Sequence, residues 1–212
     1  MLKELKIEEF LRELALPSPA PGSSAMAALA TALAAGLLSK YCAVSQDREK
    51  IGQFTDRLRE IGEESRFLLN KLLETFDEDT VALNLVMEAG REKAGSLLER
   101  PDQKEMAIEA EVQSASIPLQ AARGSLRLLS LVSETEARGN PEAITELGAA
   151  NLQAMAGLRG SCYSLYARSD RVQVIAPDIE LENEIEAICG QGEVLFKANR
   201  EMIEKHLGRC PG

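Results

Sequence analysis

Tryptophan is absent from this chain, and aromatic residues make up only 4% of its 212 residues. An interior without large rings has to be assembled from Leu, Ala, Ile, Val and Met, which suits helix-on-helix packing. The aromatic and β-branched residues that favour strands are sparse throughout. No alternating apolar stretch of strand length stands out; Arg171 to Ile175 is the nearest, and it is short. Cysteine is scarce as well. Cys42, Cys162, Cys189 and Cys210 stand far apart, which excludes a zinc knuckle and a Cys-x-x-Cys redox pair. Cys42 and Cys162 fall in apolar helical runs and read as free buried thiols. The single histidine, His206, lies near a helix C-terminus, where a cation is favoured, and has no catalytic role assigned. With no His/Cys cluster, no metal is expected. Positive charge is in the minority: 24 Lys and Arg against 34 Asp and Glu give a net charge of −10. That argues against nucleic acid and against an anionic membrane surface as partners. A small anionic substrate would need a local cluster of basic side chains.

What is present is helical periodicity. A chain of this length fits one domain, residues 1–212, with a sizeable core. Ile7, Phe10, Leu11 and Leu14 fall on one face of a short amphipathic helix, and Pro17, Pro19 and Pro21 stop it. The amphipathic N-terminus carries no signal-peptide core, so the expected location is cytoplasmic, with reduced thiols. Gly22 turns the chain, and Ser23 or Ser24 is placed to cap a helix from about Ala25 to Val44. From Ala25 to Leu38 only Thr31 and Gly36 interrupt its apolar character. The run is too short and too rich in Ala for a membrane span. It reads as a helix buried on nearly all sides, and its small residues let neighbouring backbones approach. One chain of this size rarely encloses a helix so fully, which predicts a partner subunit.

Ile51, Phe54, Leu58 and Ile61 restart the period, and helical spacing continues through Asp77-Glu78-Asp79 to Val86. A further helix spans Asp102 to about Glu134, bent at Pro118. Asn140-Pro141-Glu142 signals the next helix start, with Asn at the cap and Pro in the first position. That helix runs to about Ala167. Asp178 can cap a last amphipathic helix ending near Gly208. The fold class predicted is all-α, an up-and-down bundle of about six long helices around an Ala-rich central one.

Asp79 closes an acidic triplet set inside the helical pattern. A charge run is ordinarily a solvated helix face, but the spacing of Asp79 with Leu72, Leu83 and Val86 puts it near the apolar stripe. Asp77 and Glu78 read as supporting or surface acids. Ser23 and Ser24, if not simple caps, offer a helix N-terminus whose free amides favour anions.

In order along the chain, these stretches resemble the cyclodeaminase/cyclohydrolase family of folate one-carbon enzymes. The family's Pro-Gly-Gly-Gly-Ser turn before an Ala-rich helix corresponds to Pro21-Gly22-Ser23-Ser24-Ala25. Its Asp-x-Asp corresponds to Asp77-Glu78-Asp79, and its Val-Pro-Leu to Ile117-Pro118-Leu119. Its Gly-Asn and Ser-Asp-Leu correspond to Gly139-Asn140 and Thr145-Glu146-Leu147. The resemblance covers almost the whole chain. It implies a cyclodeaminase-like helical fold working as a homodimer, a tetrahydrofolate derivative as substrate, and no permanently bound cofactor. It places a folate site beside Asp79 and implies that Asp79 is the catalytic residue, with Gly22, Ser23, Ser24, Asp77, Pro118 and Glu146 as substrate contacts. Arg48 and Lys50 are either surface charges or a grip on the folate carboxylates. Ser164 and Arg168 stand where the family has an Asn pair.

In a cyclohydrolase, water attacks the methenyl carbon and the ring opens; in a cyclodeaminase, an amine attacks the formimino carbon and ammonia leaves. Both move protons at a carbon between two nitrogens, which one partly desolvated carboxylate can serve as acid and base. The cyclohydrolase is favoured, because no formiminotransferase domain is attached. The alternative is a catalytically degenerate relative: a dimeric protein that binds folate or another small anion, or an interaction scaffold.

Overall fold

The computed structural model describes residues 2–18, 20–46, 54–93, 101–175 and 181–208, with side chains described except over 78–93, 101–111 and 170–175. Six α-helices follow in order: α1 (Ile7–Leu14), α2 (Ser23–Gln46), α3 (Phe54–Lys93), α4 (Pro101–Glu134), α5 (Ile144–Ile175) and α6 (Leu181–His206). Single 3-10 turns at Leu2–Glu4 and Pro141–Ala143 complete the described elements. No strand occurs among the described residues, and Arg171 to Ile175, the nearest approach to strand patterning, belongs to α5. The all-α expectation holds, with five long helices and one short.

Small residues set the core. A side-chain carbon added at Gly160 would lie 3.2 Å from Ala27 Cβ, and one at Gly157 would strike Thr31 and Ser125. The α2 and α5 axes therefore run close together, as Ala- and Gly-rich faces permit. Around this contact pack Leu38, Leu58, Ile61, Leu129, Leu158 and Leu165, all fully buried. α2 is long and apolar enough to cross a membrane by length and composition. It is packed instead by α3, α4 and α5, as a core helix is.

Pairwise contacts fix the up-and-down order. Gly62 of α3 backs onto Cys42 of α2, and Gly124 of α4 touches both Leu72 of α3 and Thr31 of α2. Ser23 and Lys40 of α2 meet Ser164 and Glu146 of α5. Neighbours in sequence from α2 to α6 are thus antiparallel, while α2 and α4 run the same way. α4 continues through Pro118, whose ring costs one helical N–H without ending the helix.

At the end of the bundle where α2 finishes, Tyr41 Oη accepts from the Gly139 N–H at 2.9 Å, and Ser45 Oγ accepts from the Asn140 N–H at 2.8 Å. Asn140 caps the 3-10 turn leading into α5, its side chain accepting from the Glu142 N–H at 3.0 Å. Burial raises the Tyr41 hydroxyl to about 12. On the α3/α4 face, Arg127 forks onto Glu64 at 2.6 and 2.7 Å and reaches Glu134 at 2.8 Å; Arg57 also pairs with Glu134.

α1 forms where its periodicity placed it, and one local expectation, about the cysteines, fails. Only Phe10 of the α1 stripe is buried, stacked edge-on against Phe76 with centroids 5.4 Å apart, while Ile7 and Leu11 face solvent. Periodicity reported an apolar face but not how little of it the bundle covers. Cys162 is not a free thiol: it is paired through sulfur with Cys189 across the α5/α6 contact. Sequence separation hid a pairing that antiparallel packing creates. Cys42 is free and buried, and burial raises its thiol to about 12.

Candidate functional site

Four helices bring their candidate residues to one level of the bundle. Thr31 lies beside Leu72 of α3 and bonds Ser125 of α4. Two turns back along α2 lies Ser24; the same distance along its neighbours lies position 79 of α3 and Pro118 of α4. Ser164 of α5 is tied to this level directly, its hydroxyl 2.9 Å from that of Ser23. Residues 23, 24, 79, 118 and 164 thus form one layer at the N-terminal end of α2. The backbone of Asp79 belongs to α3, and its side chain lies outside the described residues, as do Arg48 and Lys50 entirely.

Gly22 takes the cap position of α2, its carbonyl accepting from the Met26 N–H at 3.1 Å. Ser23 and Ser24 are therefore the first two helical residues, not caps. Ser23 spends its hydroxyl on Ser164. Ser24 is 2% exposed, and its hydroxyl has no partner among the described residues. The first-turn amides of Ser24 and Ala25 have no intrahelical acceptor, as at every helix start, and they give this end partial positive charge. Arg168, one turn beyond Ser164, donates to the Ser164 carbonyl at 2.7 Å.

Two predicted contacts have ion-pair partners of their own. Asp77 accepts from the Lys3 backbone N–H at 3.1 Å and pairs with the Lys3 ammonium at 3.3 Å, so it fastens the N-terminal turn to α3. Glu146 pairs with Lys40 at 2.9 Å, and that hydrogen bond holds its carboxyl below the usual range. Lys40 lies about 25 Å along α2 from Ser23. Within one chain, Glu146 does not share a site with Ser23 and Ser164.

The sequence reading missed a cleft of about 210 Å³ between α3 and α4, lined by Lys71, Leu72, Thr75, Gln120, Arg123 and Arg127, among others. Thr75, Leu72 and Leu68 precede position 79 by four, seven and eleven residues, so the cleft-lining stripe of α3 leads to it. Arg123 pairs with Glu184 at 2.7 Å, and Arg127 is held by Glu64 and Glu134. The Lys71 ammonium has no partner among the described residues. In an acidic chain this is a local concentration of cations beside the layer of candidate residues. The helical stripe through Lys71 and Asp79 was available in the sequence; the arginines opposite come from a helix some fifty positions away and left no local signal.

A family model described as Formiminotransferase-cyclodeaminase matches residues 6–172. A methenyltetrahydrofolate cyclohydrolase from Methylorubrum extorquens is 28% identical over 206 residues, covering 95% of this chain and 97% of that protein. The crystal structure of formiminotetrahydrofolate cyclodeaminase from Thermotoga maritima superposes with a TM-score of 0.85 at 18% identity, covering 98% of this chain and all of that one. At that identity the superposition establishes a shared fold.

Proposed function

The chain belongs to the formiminotransferase-cyclodeaminase family, and on that premise we propose that it is an enzyme of folate one-carbon metabolism, hydrolysing a methenyltetrahydrofolate. The observation that carries this reading is the layer at the start of α2. There the hydroxyl pair Ser23–Ser164, the buried Ser24 and Pro118 lie level with position 79. The cyclohydrolase reaction is placed ahead of cyclodeamination because the relative matched over 95% of this chain carries that name.

In the proposed mechanism the Asp79 carboxylate is the general base. It takes one proton from water as the oxygen bonds to the cationic methenyl carbon. It then returns that proton to the ring nitrogen as the carbon–nitrogen bond breaks, and the hydroxyl proton of the adduct leaves to solvent. The carboxylate's charge also stabilises the cation before attack. Ser23 and Ser164 hold the α2 and α5 walls of the site together. Lys71 and Arg123 supply positive charge in the cleft for the substrate carboxylates.

The enzyme is further proposed to work as a homodimer. α2 and α5 lie side by side with α4 packed behind both. On the outer side, Leu33 and Val44 of α2 and Leu152 and Tyr163 of α5 are exposed. An apolar face of this kind is what a second copy would cover. Sedimentation of the purified protein decides this: a dimer supports it, and a monomer at micromolar concentration contradicts it.

Turnover separates the two reactions. Enzyme-dependent loss of 5,10-methenyltetrahydrofolate absorbance, without ammonia release from the formimino substrate, supports the cyclohydrolase. Ammonia release alone reassigns the protein as a cyclodeaminase, and neither activity supports the degenerate relative.

A further inference from the structure

Two buried hydroxyls in the bundle lack a hydrogen-bond partner among the described residues although the fold offers ways to satisfy one of them. Ser161 of α5 is fully buried and Ser24 of α2 is 2% exposed, and neither oxygen is bonded. A buried hydroxyl ordinarily finds a partner, because leaving it unmade forfeits the water it gave up. Four other buried hydroxyls follow that rule. Thr31, Ser45, Ser65 and Thr75 each donate to the carbonyl four residues earlier, at 2.7 to 3.0 Å. The Gly157 carbonyl stands in the same relation to Ser161 and is not used.

Ser161 lies one turn above Gly157, the position that touches Thr31 and Ser125. Along the axis it stands about 4 Å from the level of Ser24, given the helical rise. The buried α4 residues at these levels, Pro118, Ala121 and Ala122, carry no side-chain donor or acceptor, while half-buried Gln120 lines the α3/α4 cleft. Ser24 and Ser161 are thus two buried hydroxyls, one on each of two neighbouring helices, close to the level of position 79.

We propose that Ser161, together with Ser24, is a substrate-binding residue whose hydroxyl takes the polar edge of a flat heterocycle. On the folate reading, on which this inference rests, the edge is the oxo and amino side of the reduced pterin ring. That edge sets a donor beside an acceptor, and a hydroxyl can answer either. Neither hydroxyl has a protein partner among the described residues; with the ring bound, they discriminate against rings lacking these groups.

The test compares wild type, Ser161→Ala, Ser161→Thr and Ser24→Ala for equilibrium binding of tetrahydrofolate and for melting temperature. Removal of an unsatisfied buried hydroxyl leaves folding intact or strengthens it, whereas removal of a bonded one weakens it. The expected result is roughly tenfold weaker binding in each Ala variant, as for one lost hydrogen bond, with melting unchanged or raised. Ser161→Thr, which keeps the hydroxyl, retains most of the affinity. Unchanged binding in both Ala variants while wild type binds overturns the assignment and leaves the folate reading standing. A marked fall in the Ser161→Ala melting temperature assigns that hydroxyl to the fold instead. No binding of tetrahydrofolate by wild type overturns both.

Discussion

The hydroxyls of Ser23 and Ser164 are 141 positions apart in sequence and 2.9 Å apart in space. Ser23 opens α2, and Ser164 lies in the outer part of α5. Their contact joins the two walls of the candidate site where the free amides of α2 begin. Replacing Ser164 by Ala removes a partly buried hydrogen bond between neutral groups, which is worth about 1 kcal/mol of stability. The variant should still fold, with a raised KM and a smaller change in kcat. Steady-state kinetics beside a melting curve checks this, and unchanged kinetics would remove Ser164 from the site.

α2 and α5 pass too closely at Gly157 to admit a side chain. A methyl group there would lie 3.0 Å from the Ala27 carbonyl oxygen and collide with the Thr31 hydroxyl. Gly157→Ala should therefore force the helices apart and cost about 2 kcal/mol, as overpacking does. Gly190, where an added carbon meets nothing within 4 Å, is the control. Gly190→Ala should leave stability unchanged or raise it slightly, by the helical preference for Ala. Chemical denaturation of both variants reads the difference.

Acid should unfasten α3 from α4. Burial pushes the Glu134 carboxyl up, but hydrogen bonds from Arg57, Ser130 and Arg127 outweigh it and bring the net value below 4.5. A carboxyl lowered in the folded state contributes stability above its unfolded value and loses it as pH falls through the folded one. The pairs are partly solvent-exposed, so the screened contribution is on the order of 1 kcal/mol. Glu134→Gln should lower stability at pH 7, and its deficit against wild type should shrink as pH falls below about 4.5. Denaturation midpoints across that range test the sign.

The cleft charge has its own signature. Lys71→Glu replaces an exposed cation with an anion between Arg123 and Arg127. The proposal requires a KM several-fold higher for a folate with its carboxylates, and the effect should fade at high salt. A KM indifferent to both substitution and salt would place the carboxylates elsewhere.

Much of the fold was legible in the sequence because its signals are local. Ala-rich runs, prolines at helix ends and the Asn140 cap each act within a few residues, and together they located every long helix. The helix ends were less legible: α5 continues past Ala167 to Ile175 because nothing in Arg171 to Ile175 stops it. The layer of candidate residues was legible only where motif order carried it. Gly22, Ser23, Pro118 and Ser164 do gather at one end. Asp77 and Glu146 instead have partners, Lys3 and Lys40, that are remote in sequence. Ser161 and the α3/α4 cleft were missed because burial without a partner, and cations from opposing helices, exist only after packing.

The account turns on Asp79. The direct measurement is the decay of 5,10-methenyltetrahydrofolate absorbance with wild type and with Asp79→Asn, an isosteric change that removes the base. Loss of a general base lowers the rate by about 10² to 10⁴, so the account predicts enzyme-dependent decay that falls at least a hundredfold in the variant while tetrahydrofolate binding persists. Decay at the wild-type rate in Asp79→Asn would contradict it.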